Sequence, residues 1–314
     1  MNNINDMSTS NNSENEINLG ELFEVLWKGK WLILTTTSFL SILSIIYSLS
    51  LPNIYESKAL LNPIGEQSQL NKSVQSFGGL ASLAGINLPA TGSNAIKAKE
   101  KLYTLSFFTD NILPNIYLPD LMAVKFWDTS NNKIIYDESI FNEANQSWVR
   151  DVKNLKNIIP SPQESFRHFS DKLKVSEDIS TGFVTISVQH HSPIIAKEWV
   201  ELIVNEINYF FRAKDKLEAQ AAMDYLSGQM TQTSFAEIKQ VIAELLQQKI
   251  QQLTLLEATN YYVYEYIDPP VIMEEKSKPA RAIICIIGTF FGAFFGVLIV
   301  LIRFYIIKIE TNNI

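Results

Sequence analysis

The sequence predicts an α+β membrane protein in which two transmembrane helices flank an α/β base domain that carries a long helical projection. Two uncharged stretches near the ends of the 314-residue chain are long enough to cross a bilayer. Strand-like segments follow the first stretch and precede the second, and a long proline-free region of helical periodicity lies between them. With 46% hydrophobic residues and a mean hydropathy of +0.04, disorder is excluded as the dominant state.

The two apolar stretches are 32–51 and 282–302, and neither contains a charged residue. Each reaches the roughly 20 residues that span about 30 Å of hydrocarbon as a helix. A polar stretch precedes the first, so it is not expected to be a cleaved signal peptide. The predicted division is a tail 1–31, a span 32–51, a loop 52–281, a span 282–302 and a tail 303–314. Within the loop the base covers about 52–192 and 261–281, and the projection covers about 193–260.

Several functional classes are disfavoured by composition. The net charge is −7, and no basic stripe interleaved with aromatic residues favours nucleic acid as a partner. The single cysteine, Cys285, lies in the second span, so the loop contains no thiol. Adjacent side chains on a strand point to opposite faces, so His190 and His191 do not suggest a metal site. No nucleotide loop or nucleophile motif occurs, and we expect no catalytic residues, no metal and no cofactor.

The segment before the first span predicts a short amphipathic helix. The first fifteen or so residues are rich in Asn and polar residues and are expected to be disordered. From Asn18, the predicted N-cap, apolar residues recur every three or four positions, up to the cationic and aromatic sequence 28–31 (KGKW). Such a helix either anchors at the membrane interface or docks a partner, and the pattern leaves both open. Nearby lysine and arginine counts tie across the two sides and do not fix the orientation.

The loop begins and continues with short elements. A strand is predicted at 55–62, closed by Pro63, and the small-residue string FGGLASLAG (77–85) is either a mobile loop or a close-packing element. Helical spacing at 95–108 is followed by a region to Val149 that predicts irregular or short-helical structure. A hairpin is predicted from strands at 173–177 and 183–189, with Val184, Ile186 and Val188 on one face.

A long helical region should begin at Ser192 and Pro193 and reach Thr259. A continuous helix of that length would run about 100 Å, so either the earlier chain climbs first or the helix folds back. Helix propensity is weakest at 225–234. A strand at 262–267 completes the order of a split βαβ arrangement. The second part of the region carries one apolar stripe that needs a partner helix: Ile238, Val241, Ile242, Leu245, Leu246, Ile250, Leu253 and Leu256.

The second span contains a glycine repeat. Gly288, Gly292 and Gly296 share one helix face, where missing side chains permit close approach of another helix. The first span offers small hydroxyl residues, so packing between the two helices of one chain is the default expectation. A neighbouring subunit or another membrane protein is the alternative. The hydroxyl residues are Thr35, Thr36, Thr37, Ser38, Ser41, Ser44 and Ser48.

These features, in this order, resemble the Wzz-type chain-length determinants, the polysaccharide co-polymerases of bacterial surface glycan assembly. The resemblance runs from Ile17 to Tyr305. It rests on the order and spacing of INLGELFEVLWKGKW, LPNIYESKALLNP, FGGLASLAG, LMAVKFWD, the hairpin with HHSPIIAKEW, and IDPPVIMEEKSKPAR.

The chain departs from the family pattern at two points. The family's pre-membrane segment tends to be richer in proline, whereas here Pro269, Pro270 and Pro279 remain and Met273 stands where another proline is expected. The nucleotide loop and tyrosine-rich tail of the kinase-fused relatives are missing, and the dozen residues after the second span leave no room for a kinase module. This favours the lipopolysaccharide (O-antigen) branch.

The resemblance implies a location and partners. It places the tails in the cytoplasm and the loop in the periplasm, as a two-span protein of the bacterial inner membrane. It implies a homo-oligomer that works with the O-antigen polymerase on lipid-linked polysaccharide to set chain length, without being an enzyme itself. The alternative is an adaptor or modulator of a separate tyrosine kinase in capsule or exopolysaccharide export.

Overall fold

The computed structural model describes residues 19–64, 94–151, 157–258 and 261–312. The polar N-terminal residues before Leu19 and the small-residue string FGGLASLAG lie outside these ranges. The described residues form two compact units. One, the helix pair, falls within Met1–Leu51 and Lys278–Ile314, and the other, the body, falls within Pro52–Ser277.

The helix pair consists of two long helices together with a short helix that precedes the first of them. Helix α1 covers Leu19–Lys28 and α2 covers Lys30–Ser50, while the last helix of the chain, α7, covers Arg281–Asn312. Both α2 and α7 are long and apolar enough to cross a membrane by length and composition. Helix α7 continues about ten residues past Ile302, the predicted end of the span.

The body is built on a four-stranded antiparallel sheet. Its strands are β1 (Tyr55–Pro63), β6 (Leu173–Glu177), β7 (Val184–His190) and β8 (Tyr264–Asp268), in the order β6-β7-β1-β8. This is the strand order of a split βαβ fold, so that prediction is confirmed. In β1 every second side chain from Tyr55 to Leu61 is buried, and in β7 the predicted face of Val184, Ile186 and Val188 is buried.

Helices cover the sheet. Helix α3 spans Asn94–Leu102, α4 spans Pro162–Lys172, and α5 spans the 40 residues Pro193–Gln232. Ser192 caps α5, because its Oγ accepts a hydrogen bond from Ile195 N at 3.4 Å. The first half of α5 contacts β1 and β7 and supplies core residues from Ala196 to Phe211, including the fully buried Ile203 and Ile207.

The long helical region folds back. Helix α5 ends at Gln232 and α6 covers Ala236–Ala258, so the break falls at 233–235, at the end of the segment of weak helix propensity. The two helices pack antiparallel, and Lys216 of α5 pairs with Glu257 near the end of α6. The 23 residues of α6 make the returning arm about 35 Å long. The predicted fold class, α+β with two apolar terminal helices and a helical projection, is confirmed.

One prediction was wrong. The region to Val149 does contain short helical turns, ending with Leu118–Met122, but it then forms two small hairpins rather than irregular or helical structure. Strands β2 (Val124–Asp128) and β3 (Lys133–Tyr136) pair with each other, as do β4 (Phe141–Asn142) and β5 (Ser147–Trp148). The Asp128 carboxylate accepts from the backbone N–H groups of Ser130 and Asn131, which fixes the first turn locally.

Candidate functional site: the glycine face, the pre-membrane segment and the helical hairpin

The three predicted glycines of α7 all lie against α2. A Cβ atom added to Gly292 would lie 2.9 Å from Thr37 Cα and 3.2 Å from Leu40 Cβ. At Gly288 it would lie 2.4 Å from Ser44 Cβ, and at Gly296 3.0 Å from Ile33 Cα. Real Cβ atoms do not approach neighbouring atoms this closely, so the two helix backbones are as near as glycine alone permits.

Several hydroxyl groups of the helix pair form hydrogen bonds locally or across the interface, whereas the buried Ser48 Oγ has no hydrogen-bond partner among the described residues. Thr36 and Thr37 donate to the carbonyl of Ile33, one turn back on their own helix. Ser41 Oγ and Thr289 Oγ1 lie 2.9 Å apart and form a hydrogen bond between the helices. Such pairing suits an apolar surrounding, in which an unsatisfied polar group is costly. Thr35 and Ser38, also predicted for this surface, lie on the exposed side of α2.

A fourth glycine contact was missed by the sequence analysis. A Cβ atom added to Gly29 would lie 2.5 Å from Val300 Cγ1, so the junction of α1 and α2 also packs closely on α7. Gly29 lies outside the predicted first span, and it does not belong to the glycine repeat of α7. Neither of those two predictions therefore indicated this contact. The available signal was the position of Gly29 between two basic residues at the end of an apolar run.

The pre-membrane proline segment is held against strand β1. Pro269 and Pro270 directly follow β8, and Pro270 is buried. Ser57 Oγ of β1 donates to Val271 O at 2.9 Å, and Ser277 N donates to Ile54 O at 2.8 Å. The segment is therefore ordered by hydrogen bonds at both of its ends. Pro279 follows in the other unit, after a cis peptide bond.

Buried Asn208 joins α5 to the start of β8. Its Oδ1 accepts from the backbone N–H groups of Tyr262, Val263 and Tyr264 at 3.0, 2.7 and 3.0 Å. Its Nδ2 donates to Val204 O and Tyr264 O at 2.9 and 3.0 Å. All the hydrogen-bonding groups of the Asn208 side chain are thus used, and most of them hold the backbone segment that leads from the helical hairpin into β8. The sequence analysis missed this residue, because an isolated Asn within a helix carries no distinctive pattern.

His190 occupies a closed polar position in the body. Its Nδ1 accepts from Ser192 N at 2.9 Å, so the proton is on Nε2, which donates to the backbone carbonyl of Asp120 at 2.8 Å. Complete burial lowers its pKa to about 3, and nearby Lys172 acts in the same direction. His191 donates from Nδ1 to Asn53 O at 3.0 Å. Each ring is thus engaged with backbone groups and has a structural role in its surroundings.

The predicted apolar stripe of α6 is only partly covered. Ile242 and Leu256 are buried, and Leu246 and Leu253 are partly buried. Ile238, Val241, Leu245 and Ile250 remain exposed to between 41 and 55%. Packing against α5 therefore uses about half of the stripe. The rest is an exposed apolar surface on the returning arm of the hairpin.

The comparisons with known proteins bear on these elements. Residues 15–104 match the family model "Chain length determinant protein" (Wzz), and residues 232–305 match "G-rich domain on putative tyrosine kinase" (GNVR). The first match covers α1, α2 and β1, and the second covers α6, β8, the proline segment and the three glycines of α7. No curated protein matches the chain at a significant level.

Two solved structures are also similar. A full-length bacterial polysaccharide co-polymerase is 13% identical with a TM-score of 0.39, over 93% of this chain and 99% of that chain. A fragment of WzzB, a polysaccharide co-polymerase from Salmonella Typhimurium, is 15% identical with a TM-score of 0.28, over 72% of this chain and all of that fragment.

Two paired apolar helices near the ends of the chain and an α+β body with a helical hairpin are compatible with a two-span membrane protein. The resemblance to the Wzz-type chain-length determinants seen in the sequence is supported by the match of residues 15–104 to the Wzz family model.

Proposed function

We propose that this protein is a non-enzymatic regulator of polysaccharide chain length, of the O-antigen branch. It acts as a homo-oligomeric co-polymerase in the bacterial inner membrane, together with the O-antigen polymerase, on lipid-linked polysaccharide. The observation that carries the proposal is the Wzz match over 15–104, which covers the first apolar helix and the strand that opens the body.

The proposal assigns each segment a place. Residues 1–31 and 303–314 are the cytoplasmic tails, 32–51 and 282–302 cross the membrane, and 52–281 lie in the periplasm. The glycines of α7 hold the two spans together. The exposed apolar residues of α6 support self-association, because copies of the same hairpin can bury them in a closed ring.

Deleting the gene tests the function. The deletion strain should still make polymer, but the length distribution seen in the lipopolysaccharide ladder should broaden or shift. A plasmid that carries the wild-type gene should restore the original distribution. An unchanged ladder would contradict the proposal.

A second candidate is an adaptor or modulator of a separate tyrosine kinase in capsule or exopolysaccharide export. The match of 232–305 to a domain described on putative tyrosine kinases favours it. This candidate predicts that the tails capture a cytoplasmic tyrosine kinase and that deletion changes the phosphotyrosine level of that kinase. A normal phosphotyrosine pattern together with an altered ladder would reject it in favour of the first.

A further inference from the structure

The short helix α1 has two faces of different character. Leu22, Val25 and Leu26 are partly covered, and α1 contacts α7. On the other side Phe23 and Trp27 are 68 and 62% exposed, although both are large and apolar. Their rings stack with centroids 6.1 Å apart. Among the described residues, α2 and α7 therefore cover one face of α1 in part and leave the aromatic face exposed.

This aromatic face is followed by exposed apolar residues on α2. Gly29, which separates the two helices, donates from N to Val25 O at 3.0 Å and accepts from Ile33 N at 3.1 Å. Trp31, four residues after Trp27, is 70% exposed, and Leu34 follows on the same side at 56%. The aromatic face of α1 is thus an extension of the outer apolar face of a membrane-spanning helix.

Helix length places the extension at the bilayer surface. Helix α2 alone, with 21 residues, is about 32 Å long and matches the hydrocarbon core of about 30 Å. Trp31 in the first turn of α2 and Trp27 just before α2 therefore lie at the level of the lipid headgroups, where tryptophan is enriched because its ring is apolar and its N–H is polar. Phe23 stacks on Trp27.

Electrostatic attraction to anionic lipid does not explain how α1 would bind the membrane surface. Residues 19–30 contain two acidic and two basic residues, so the helix has no net charge. Lys28 pairs with Glu24 at 2.7 Å, and Lys30 Nζ lies 4.6 Å from the centre of the Trp27 ring. A basic anchor would need unpaired lysines facing anionic lipid. Insertion of the aromatic rings is therefore the interaction that would stabilise α1 at the membrane surface.

We propose that the face formed by Phe23, Trp27 and Trp31 is a membrane-interface contact, and that lipid headgroups rather than another protein cover it. The contact depends on aromatic insertion and not on anionic lipid. The inference rests on the membrane placement in the proposed function, and it goes beyond that function by assigning a lipid contact to a segment outside the span.

Tryptophan fluorescence tests the inference in the full chain reconstituted into phosphatidylcholine vesicles. One variant keeps only Trp27, with Trp31, Trp127, Trp148 and Trp199 changed to Phe. The matched control keeps only Trp199, which is buried in the body. Lipids brominated near the headgroup should quench most of the Trp27 emission, those brominated near the chain end should quench less, and Trp199 should be unaffected by both. Replacing part of the lipid with phosphatidylglycerol or raising the salt should change nothing.

A second measurement avoids the multiple tryptophan changes. With Cys285→Ala as background, a spin label at Phe23→Cys should collide more with oxygen than with a water-soluble nickel chelate. A label at Ile179→Cys, on a turn of the body where Ile179 is 98% exposed, should show the reverse. Exposure of Trp27 and of the label at position 23 to water would overturn the inference. Shielding of both positions from lipid and from water would also overturn it, because it would indicate that a protein partner covers this face. A chain that fails to insert into vesicles at all would refute the proposed membrane placement instead.

Discussion

At the scale of single residues, Asn208 connects the helical hairpin to the sheet. Five hydrogen bonds meet at this amide, and three of them satisfy consecutive backbone N–H groups at the start of β8. Removing the amide leaves those buried groups without partners, which costs far more than one net hydrogen bond.

We therefore expect Asn208→Ala to destabilise the body by about 3 kcal/mol or more. Exposed Asn205, three residues earlier on the same helix, provides the matched control, and Asn205→Ala should change stability by less than about 0.5 kcal/mol. Thermal unfolding of the full chain in detergent, followed by circular dichroism, measures both. Equal melting temperatures for the two variants would show that Asn208 is not the anchor described here.

His190 makes stability depend on pH. Its pKa is about 3 in the folded protein and about 6.5 when unfolded, so below pH 6.5 the unfolded state binds the extra proton. The contribution of His190 to the free energy of unfolding is therefore fully present above pH 6.5. It decreases as the pH falls and reaches its minimum near pH 3. Between pH 7 and pH 5 the expected loss is about 2 kcal/mol.

His190→Gln should flatten that part of the profile, whereas the same change at exposed His168 should leave it as in the wild type. Melting temperatures at pH 7 and pH 5 give the measurement. A wild-type slope in His190→Gln would mean that other groups cause the acid sensitivity.

At the scale of elements, the pairing of α2 with α7 depends on absent side chains. A leucine at position 292 would place its Cβ 2.9 Å from the Thr37 backbone, and the helices would have to separate. We expect Gly292→Leu to weaken the helix pair by about 1 to 3 kcal/mol and to reduce oligomer stability or abolish length control.

Ala282→Leu, at an exposed position of the same helix, is the size-matched control for Gly292→Leu. Size-exclusion chromatography in detergent and the lipopolysaccharide ladder provide the readouts. Normal assembly and normal chain length in Gly292→Leu would mean that the glycine face is ordinary packing that tolerates a leucine.

The exposed part of the α6 stripe makes a separate prediction. Val241→Lys introduces a charge on that surface without touching buried Ile242, so the body should stay folded while self-association weakens about tenfold, or ~1.4 kcal/mol. Gln240→Lys, exposed on the same helix about 100° around the axis from Val241, adds the same charge away from the exposed stripe residues and should have little effect. Chemical cross-linking in membranes measures the oligomer. Unchanged cross-linking in Val241→Lys would exclude this surface from the interface.

The elements that could be predicted from sequence are those whose signal is local. The strand-like run 55–62 closed by Pro63 marked β1, alternating apolar residues marked β7, Ser192 with Pro193 marked the start of α5, and low helix propensity marked the end of α5. The β2–β3 hairpin was missed because its strands are only four and five residues long and its turn depends on Asp128. Asn208 could not be predicted, because it acts through contacts distant in sequence, and Gly29 was missed because its local signal does not indicate the contact with Val300.

At the scale of the whole molecule, two apolar helices lie near the ends of the chain, and the described residues between them form one compact body. Within the body, three polar side chains described above have structural roles: Asn208 binds the backbone at the start of β8, His190 binds the backbone of Asp120 and Ser192, and Ser57 binds Val271 of the pre-membrane segment. This use of polar side chains fits a protein that works through shape and association.

The central claim is that the body lies on the periplasmic side of the inner membrane while both tails are cytoplasmic. A membrane-impermeant maleimide applied to spheroplasts tests it most directly, with single cysteines at Ile179→Cys in the body and Ser8→Cys in the N-terminal tail, both in a Cys285→Ala background. The account predicts labelling of position 179 in intact spheroplasts and of position 8 only after lysis. Labelling of position 8 in intact spheroplasts, with position 179 protected until lysis, would contradict it.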